Sequence, residues 1–83
     1  MTRADIFQVV KANITRIVED VDAAAISERV SMSELGADSL QVVEVVSRSM
    51  KELKLKVPRT ELSTAQTLKD LLDLFQTAAA GGA

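Results

Sequence analysis

Three blocks of aliphatic residues recur at spacings of three and four, and no block alternates in twos. In the first block the spaced residues are Ile6, Val10, Ile14, Ile17 and Val21, with Val9 and Val18 beside them. The second holds Leu40, Val43, Val46, Met50 and Leu53, widened by Val42 and Val45. The third holds Leu68, Leu71, Leu72 and Phe75. Apolar residues at that period line one face of an α-helix. The spacing therefore predicts an all-α chain: helices over about 2–21, 39–54 and 67–79, and a short fourth over about 59–62. Pro58 disfavours helical geometry at Val57, so Leu55-Lys56-Val57 is expected to be extended. The expected core is one aliphatic cluster of Ile6, Val10, Ile14, Ile17, Val43, Val46, Met50, Leu68, Leu71, Leu72 and Phe75.

Between Asp20 and Asp38 the period is lost, and Ile26, Val30, Met32 and Leu35 are scattered among polar residues. A loop of that length in a small domain is usually functional or disordered. Its apolar anchors predict a packed loop with one short helical turn. The fold class expected is thus a small three-to-four-helix bundle with a long loop between helices 1 and 2. Residues 1–80 form one domain in this reading, and the low-complexity end, 81–83, is a flexible tail.

Composition narrows the chemistry. The 83 residues contain no Cys, His, Trp or Tyr. Disulfides and thiolate metal sites are excluded, and the commonest general bases and activated nucleophiles are missing. So short a chain also has little room for a water-excluding pocket. An enzyme is disfavoured, and no catalytic residue or metal site is expected. A calcium loop starting at Asp20 fails on spacing, with Ala25 and Ser31 at its sixth and twelfth positions. Ten basic residues against twelve acidic ones leave no basic excess for nucleic acid. No apolar run reaches membrane-span length, and the N-terminus lacks the apolar stretch of a signal peptide. A cytoplasmic protein, monomeric when free, is the expectation.

The informative stretch is Glu34-Leu35-Gly36-Ala37-Asp38-Ser39-Leu40. Asp38 suits an N-cap, and Gln41 three residues on can complete a capping box. Ser39 then stands in the first helical turn, where unpartnered N–H groups and partial positive charge favour a phosphate ester. Gly36 gives the turn before it conformational freedom. Taken alone, Asp-Ser at a helix start is also a common cap with no further role.

Leu35-Gly36-Ala37-Asp38-Ser39-Leu40 resembles the phosphopantetheine attachment motif of acyl carrier proteins, Leu-Gly-x-Asp-Ser-Leu. The likeness continues at Val43-Glu44-Val45-Val46 and at Val57-Pro58, and spans about residues 3–76. It implies a helical bundle that catalyses nothing. It implies that a phosphopantetheinyl transferase moves 4′-phosphopantetheine from coenzyme A to Ser39, with Asp38 at the position the transferase recognises. The arm's thiol would carry acyl groups as thioesters to an acyltransferase, a ketosynthase or a synthase of the hydroxymethylglutaryl type. Leu40 matches a surface hydrophobe that partners touch, or is a core residue. Glu44 matches a position that pairs with basic partner residues, or is simply solvated.

The chain departs from the fatty-acid carriers in charge. Ser39–Lys56 holds two acids, Glu44 and Glu52, against four bases, Arg48, Lys51, Lys54 and Lys56. Gln41 stands where an acid is common. Pro58-Arg59-Thr60-Glu61-Leu62 resembles free-standing donor carriers of polyketide β-branching cassettes, which hand acetyl groups to a hydroxymethylglutaryl-type synthase. On that reading Leu40, Gln41, Glu44, Arg59 and Glu61 contact the partner; otherwise Arg59 is a solvated residue at a helix start. Two further readings stay open, a peptidyl carrier of a non-ribosomal assembly line and an unmodified helical interaction module. Gly36-Ala37, where peptidyl carriers more often have Gly-Gly, favours the acyl carrier. Met1 and the short length fit a free-standing protein, and the Ala/Gly-rich end fits a linker remnant.

Overall fold

The computed structural model describes residues 1–81. It has four α-helices: α1 (Arg3–Ile17), α2 (Ser39–Leu53), α3 (Arg59–Leu62) and α4 (Leu68–Gly81). One 3-10 turn, Ala23–Ala25, interrupts the first loop. No strand occurs among the described residues.

Helix α1 starts on a capping box. Thr2 Oγ1 accepts from the Asp5 amide at 3.1 Å, and the Asp5 carboxylate accepts from the Thr2 amide at 2.9 Å. Ile6, Val10 and Ile14, four residues apart, are fully buried along one face. The helix ends at Ile17, four residues short of the Val21 expected from the apolar spacing. Val18 is already extended, and Asp20 takes a left-handed backbone that its short polar side chain tolerates. Val18 nevertheless enters the core, while Ile17 and Val21 are half-buried.

The long loop is packed as expected. Ile26, Met32 and Ala37 are buried, and Val30 and Leu35 lean on them. Two loop carbonyls also complete another element. Leu68 N–H donates to Val30 O and Lys69 N–H donates to Glu28 O, both at 2.9 Å. First-turn amides of a helix otherwise lack partners, so the loop closes the start of α4. Arg3 reinforces the same junction, pairing with Glu28 at 2.7 Å and Asp73 at 2.8 Å, and Lys69 pairs with Asp73 at 3.1 Å. Hydrogen bonds from Arg3 hold the Glu28 carboxyl below its usual range, and those from Lys69 and then Arg3 do so for Asp73.

Helix α2 ends in a Schellman motif with Lys54 left-handed. Lys54 N–H donates to Lys51 O, and Leu55 N–H donates to Met50 O at 2.9 Å. Its buried face is Val45, Ser49 and Leu53, with Val42, Val46 and Met50 half-buried. The expected stripe is therefore corrected at Val43, which is 59% exposed. Ser49 is not apolar, but its hydroxyl accepts from Asn13 Nδ2 at 3.1 Å inside the core, so both buried polar groups are satisfied. Helix α3 has its expected bounds. Helix α4 buries Leu68, Leu71, Leu72 and Phe75 as expected, and begins with Thr67 and Asp70 bonded to each other's amides. It runs to Gly81, the first residue of the expected tail; Gly82 and Ala83 lie outside the described residues.

Candidate functional site

The site is the start of α2. The turn before it is folded on Met32, whose carbonyl accepts from the amides of Leu35 at 3.0 Å and Ala37 at 3.1 Å. Gly36 closes this turn at φ +99, where an L side chain is strained even though a Cβ there would meet nothing within 4 Å. Ala37 buries itself in the core and pins the turn.

Asp38 follows as N-cap. Its Oδ1 accepts from the Gln41 amide at 2.8 Å, and Gln41 Oε1 accepts from the Asp38 amide at 2.9 Å. The Gln41 amide group does more than complete this box. Its Nε2 donates to Ile17 O at 3.2 Å, tying the start of α2 to the end of α1. Both ends of the Gln41 head group are thus engaged within the fold. Ser39, the first helical residue, is exposed, and its hydroxyl stands at the positive end of the helix dipole. A phosphodiester on that oxygen would find open solvent around it and a favourable field, so the residues present fit the group.

Around Ser39 the surface is unusually apolar. Leu40 is 82% exposed and Val43, one turn on, is 59% exposed, with exposed Glu44 beside them. Leu40 is therefore a surface residue and not a core one. Val43, expected in the core, instead lines a groove of about 630 Å³ with Val46, Met50, Val57, Leu62 and Arg59. Arg59 is exposed at this groove; Glu61 is exposed on α3 but does not line it. Val42, Val46 and Leu62 also line a second, half-open pocket of about 220 Å³ backed by Met32, Leu68 and Leu71. The helix pattern alone could not separate Val43 from Val42 and Val46, because all three positions are valine.

No helix among the described residues is long and apolar enough to cross a membrane, and no cluster of acidic residues there could hold a metal ion. A small bundle that fixes a hydroxyl at a capped helix start is the architecture of a carrier domain. The phosphopantetheine attachment site family matches residues 9–75. The polyketide biosynthesis acyl-carrier-protein AcpK of Bacillus subtilis (strain 168) is 31% identical over 75 residues, covering 90% of this chain and 92% of that protein. Among solved structures, a chain of the curacin biosynthetic pathway HMG synthase in complex with acetyl donor-ACP superposes with a TM-score of 0.80. It is 29% identical, over 95% of this chain and 99% of that one. The chain belongs to the phosphopantetheine attachment site family. It is an acyl carrier protein, a non-enzymatic carrier of covalently attached 4′-phosphopantetheine that works with biosynthetic enzymes.

Proposed function

We propose that Ser39 is the attachment residue and that this carrier donates acetyl groups to a hydroxymethylglutaryl-type synthase in polyketide β-branching. The observation that carries the donor role is the likeness to an acetyl donor carrier, over nearly the full length of both chains, found with such a synthase. The attachment is supported by the exposed Ser39 hydroxyl at a capped helix start.

Loading is a phosphoryl transfer in which a phosphopantetheinyl transferase is the enzyme. The Ser39 oxygen bonds to the phosphorus next to the pantetheine. The phosphoanhydride bond of coenzyme A breaks, adenosine 3′,5′-bisphosphate leaves, and the hydroxyl proton passes to a base on the transferase. When bound, the group supplies the thiol on which an acetyl thioester is held. This chain's own residues position and present. Asp38 fixes the helix start and the direction of the Ser39 oxygen, and offers a carboxylate to the transferase. Gly36 shapes the turn, and Gln41 acts through the cap. Leu40, Glu44, Arg59 and Glu61 meet the partner. Residues 1–80 act as one carrier unit, monomeric when free.

The test is an intact mass after incubation with a broad-specificity transferase and coenzyme A. One phosphopantetheine on the wild type and none on Ser39→Ala is the expected result. Modification persisting in Ser39→Ala rejects the attachment residue. Acetyl transfer to the synthase is then followed with wild type and Arg59→Glu. A synthase that ignores the wild type but accepts a known donor carrier removes the donor role and leaves the carrier intact.

A further inference from the structure

The charge of this protein is segregated. From Ser39 to Leu62 the chain carries five bases, Arg48, Lys51, Lys54, Lys56 and Arg59, against three acids, Glu44, Glu52 and Glu61. The remainder carries five bases against nine acids. Ion pairing divides the same way. All three ion pairs among the described residues join Arg3 or Lys69 to Glu28 or Asp73, at the junction of α1, the loop and α4. The five bases of the α2–α3 segment are exposed and enter no ion pair among the described residues.

Local helix physics explains only part of this. Lys51 in the last turn and Lys54 just beyond it suit the negative end of the helix dipole. Arg48 in mid-helix, Lys56 in the extended segment and Arg59 at the start of α3 have no such reason. Their placement is continuous with the site. Leu40, Glu44, Ser47 and Lys51, at spacings of four, three and four, form one outward line that starts beside Ser39 and runs for about 16 Å along the axis from Leu40 to Lys51. Arg48 flanks that line. Met50 and Val57 line both the groove at Val43 and the hollow that Lys56 borders. An enzyme reaching a group on Ser39 must cover Leu40 and Val43, and its edge then falls over these cations.

We infer that the enzyme that takes the acyl group from this carrier meets α2 with an acidic rim around an apolar seat for Leu40 and Val43. This rests on Ser39 as the attachment residue and on the donor role. Opposite charge across a rim raises the encounter rate and rejects partners of the same sign. A basic docking patch would be drawn to the exposed Asp38 and Glu44 beside Ser39 but repelled by Arg48, Lys56 and Arg59 farther out.

The experiment uses acetyl-loaded full-length protein and a panel of hydroxymethylglutaryl-type synthases, including the curacin-pathway enzyme. Initial transfer rates are measured from low to high sodium chloride for wild type, the double variant Arg48→Glu/Lys56→Glu, and the milder Arg48→Gln/Lys56→Gln. Circular dichroism checks the fold. For the synthase that accepts wild type, kcat/KM is expected to fall with salt. The Glu variant should lose roughly tenfold in kcat/KM at low salt, the Gln variant less, with kcat preserved and the gaps closing at high salt. Equal kcat/KM for all three proteins, or a wild-type rate that rises with salt, overturns the acidic rim and leaves the donor role standing. If no synthase accepts the wild type, the donor role fails and the inference falls with it.

Discussion

Asp38 holds the start of α2 in two separable ways, and substitution can part them. Asp38→Ala removes the acceptor of the Gln41 amide at 2.8 Å and a carboxylate at the positive end of the helix. Loss of an N-cap acceptor costs about 1 kcal/mol, and loss of the charge about 0.3–1 kcal/mol more. The reciprocal bond, from the Asp38 amide to Gln41 Oε1, survives because it uses backbone. The total is then about 1.5 kcal/mol, which in a domain of this size lowers the thermal midpoint by roughly 6–12 °C. Asp38→Ser keeps the acceptor and loses only the charge, so its midpoint should fall by less than half as much. Thermal unfolding followed by circular dichroism at low ionic strength measures both. Equal losses for Ala and Ser would refute the capping account. Loading rates then separate the functional role. A transferase that reads the carboxylate will load Asp38→Ser poorly although the protein is folded, whereas loading that follows stability alone assigns Asp38 to the cap only.

Other substitutions probe the turn, the core and the ion pairs. Gly36→Ala should lose about 1–2 kcal/mol through its left-handed backbone, although its Cβ meets nothing; an unchanged denaturant midpoint would contradict this. Phe75→Ala, at a fully buried site, should lose about 3–5 kcal/mol, read as a lower urea midpoint, and a loss under 1 kcal/mol would show that Phe75 is not a core residue. The Glu28 and Asp73 carboxyls titrate below their ordinary values of 4.5 and 3.8. Their contribution is therefore present above those values and lost as pH falls through the lower folded ones. The thermal midpoint should drop on acidification below about pH 4.5, less steeply in Glu28→Gln, and a midpoint indifferent to acid would refute the pairing.

Much of the fold could be read from particular residues. The apolar spacing of α1 and α4 selected Ile6, Val10, Ile14, Leu68, Leu71, Leu72 and Phe75, all buried, together with Ile17, which is half-buried where the helix ends. In α2 it could not select a face. Leu40, Val42, Val43, Val45 and Val46 are apolar nearly all round, so two stripes fit, and the one through Val45, Ser49 and Leu53 is buried. A serine in that stripe hid it further, since Ser49 is acceptable in a core only with Asn13 across from it. Ile26, Met32 and Ala37 carry no period, so only tertiary packing gives them their depth. At the candidate site, the capping box of Asp38 and Gln41 and the start of α2 at Ser39 are local in sequence and were legible. The bond from Gln41 to Ile17 O joins residues on different elements, and nothing in the chain near Gln41 announces it.

The loop carbonyls that close α4 tie distant parts of the chain together. The bonds from Leu68 to Val30 and from Lys69 to Glu28 span 38 and 41 residues of chain. Contacts so distant require loop closure before they can form. The rest of α4 can wind on its own i to i−4 bonds, but its leading turn is completed only when the first loop has docked. The loop and the head of α4 therefore complete each other, and neither is fully hydrogen-bonded without the other. The amides of Leu68 and Lys69, at a place where helices usually fray, become reporters in hydrogen exchange of whether the loop is seated.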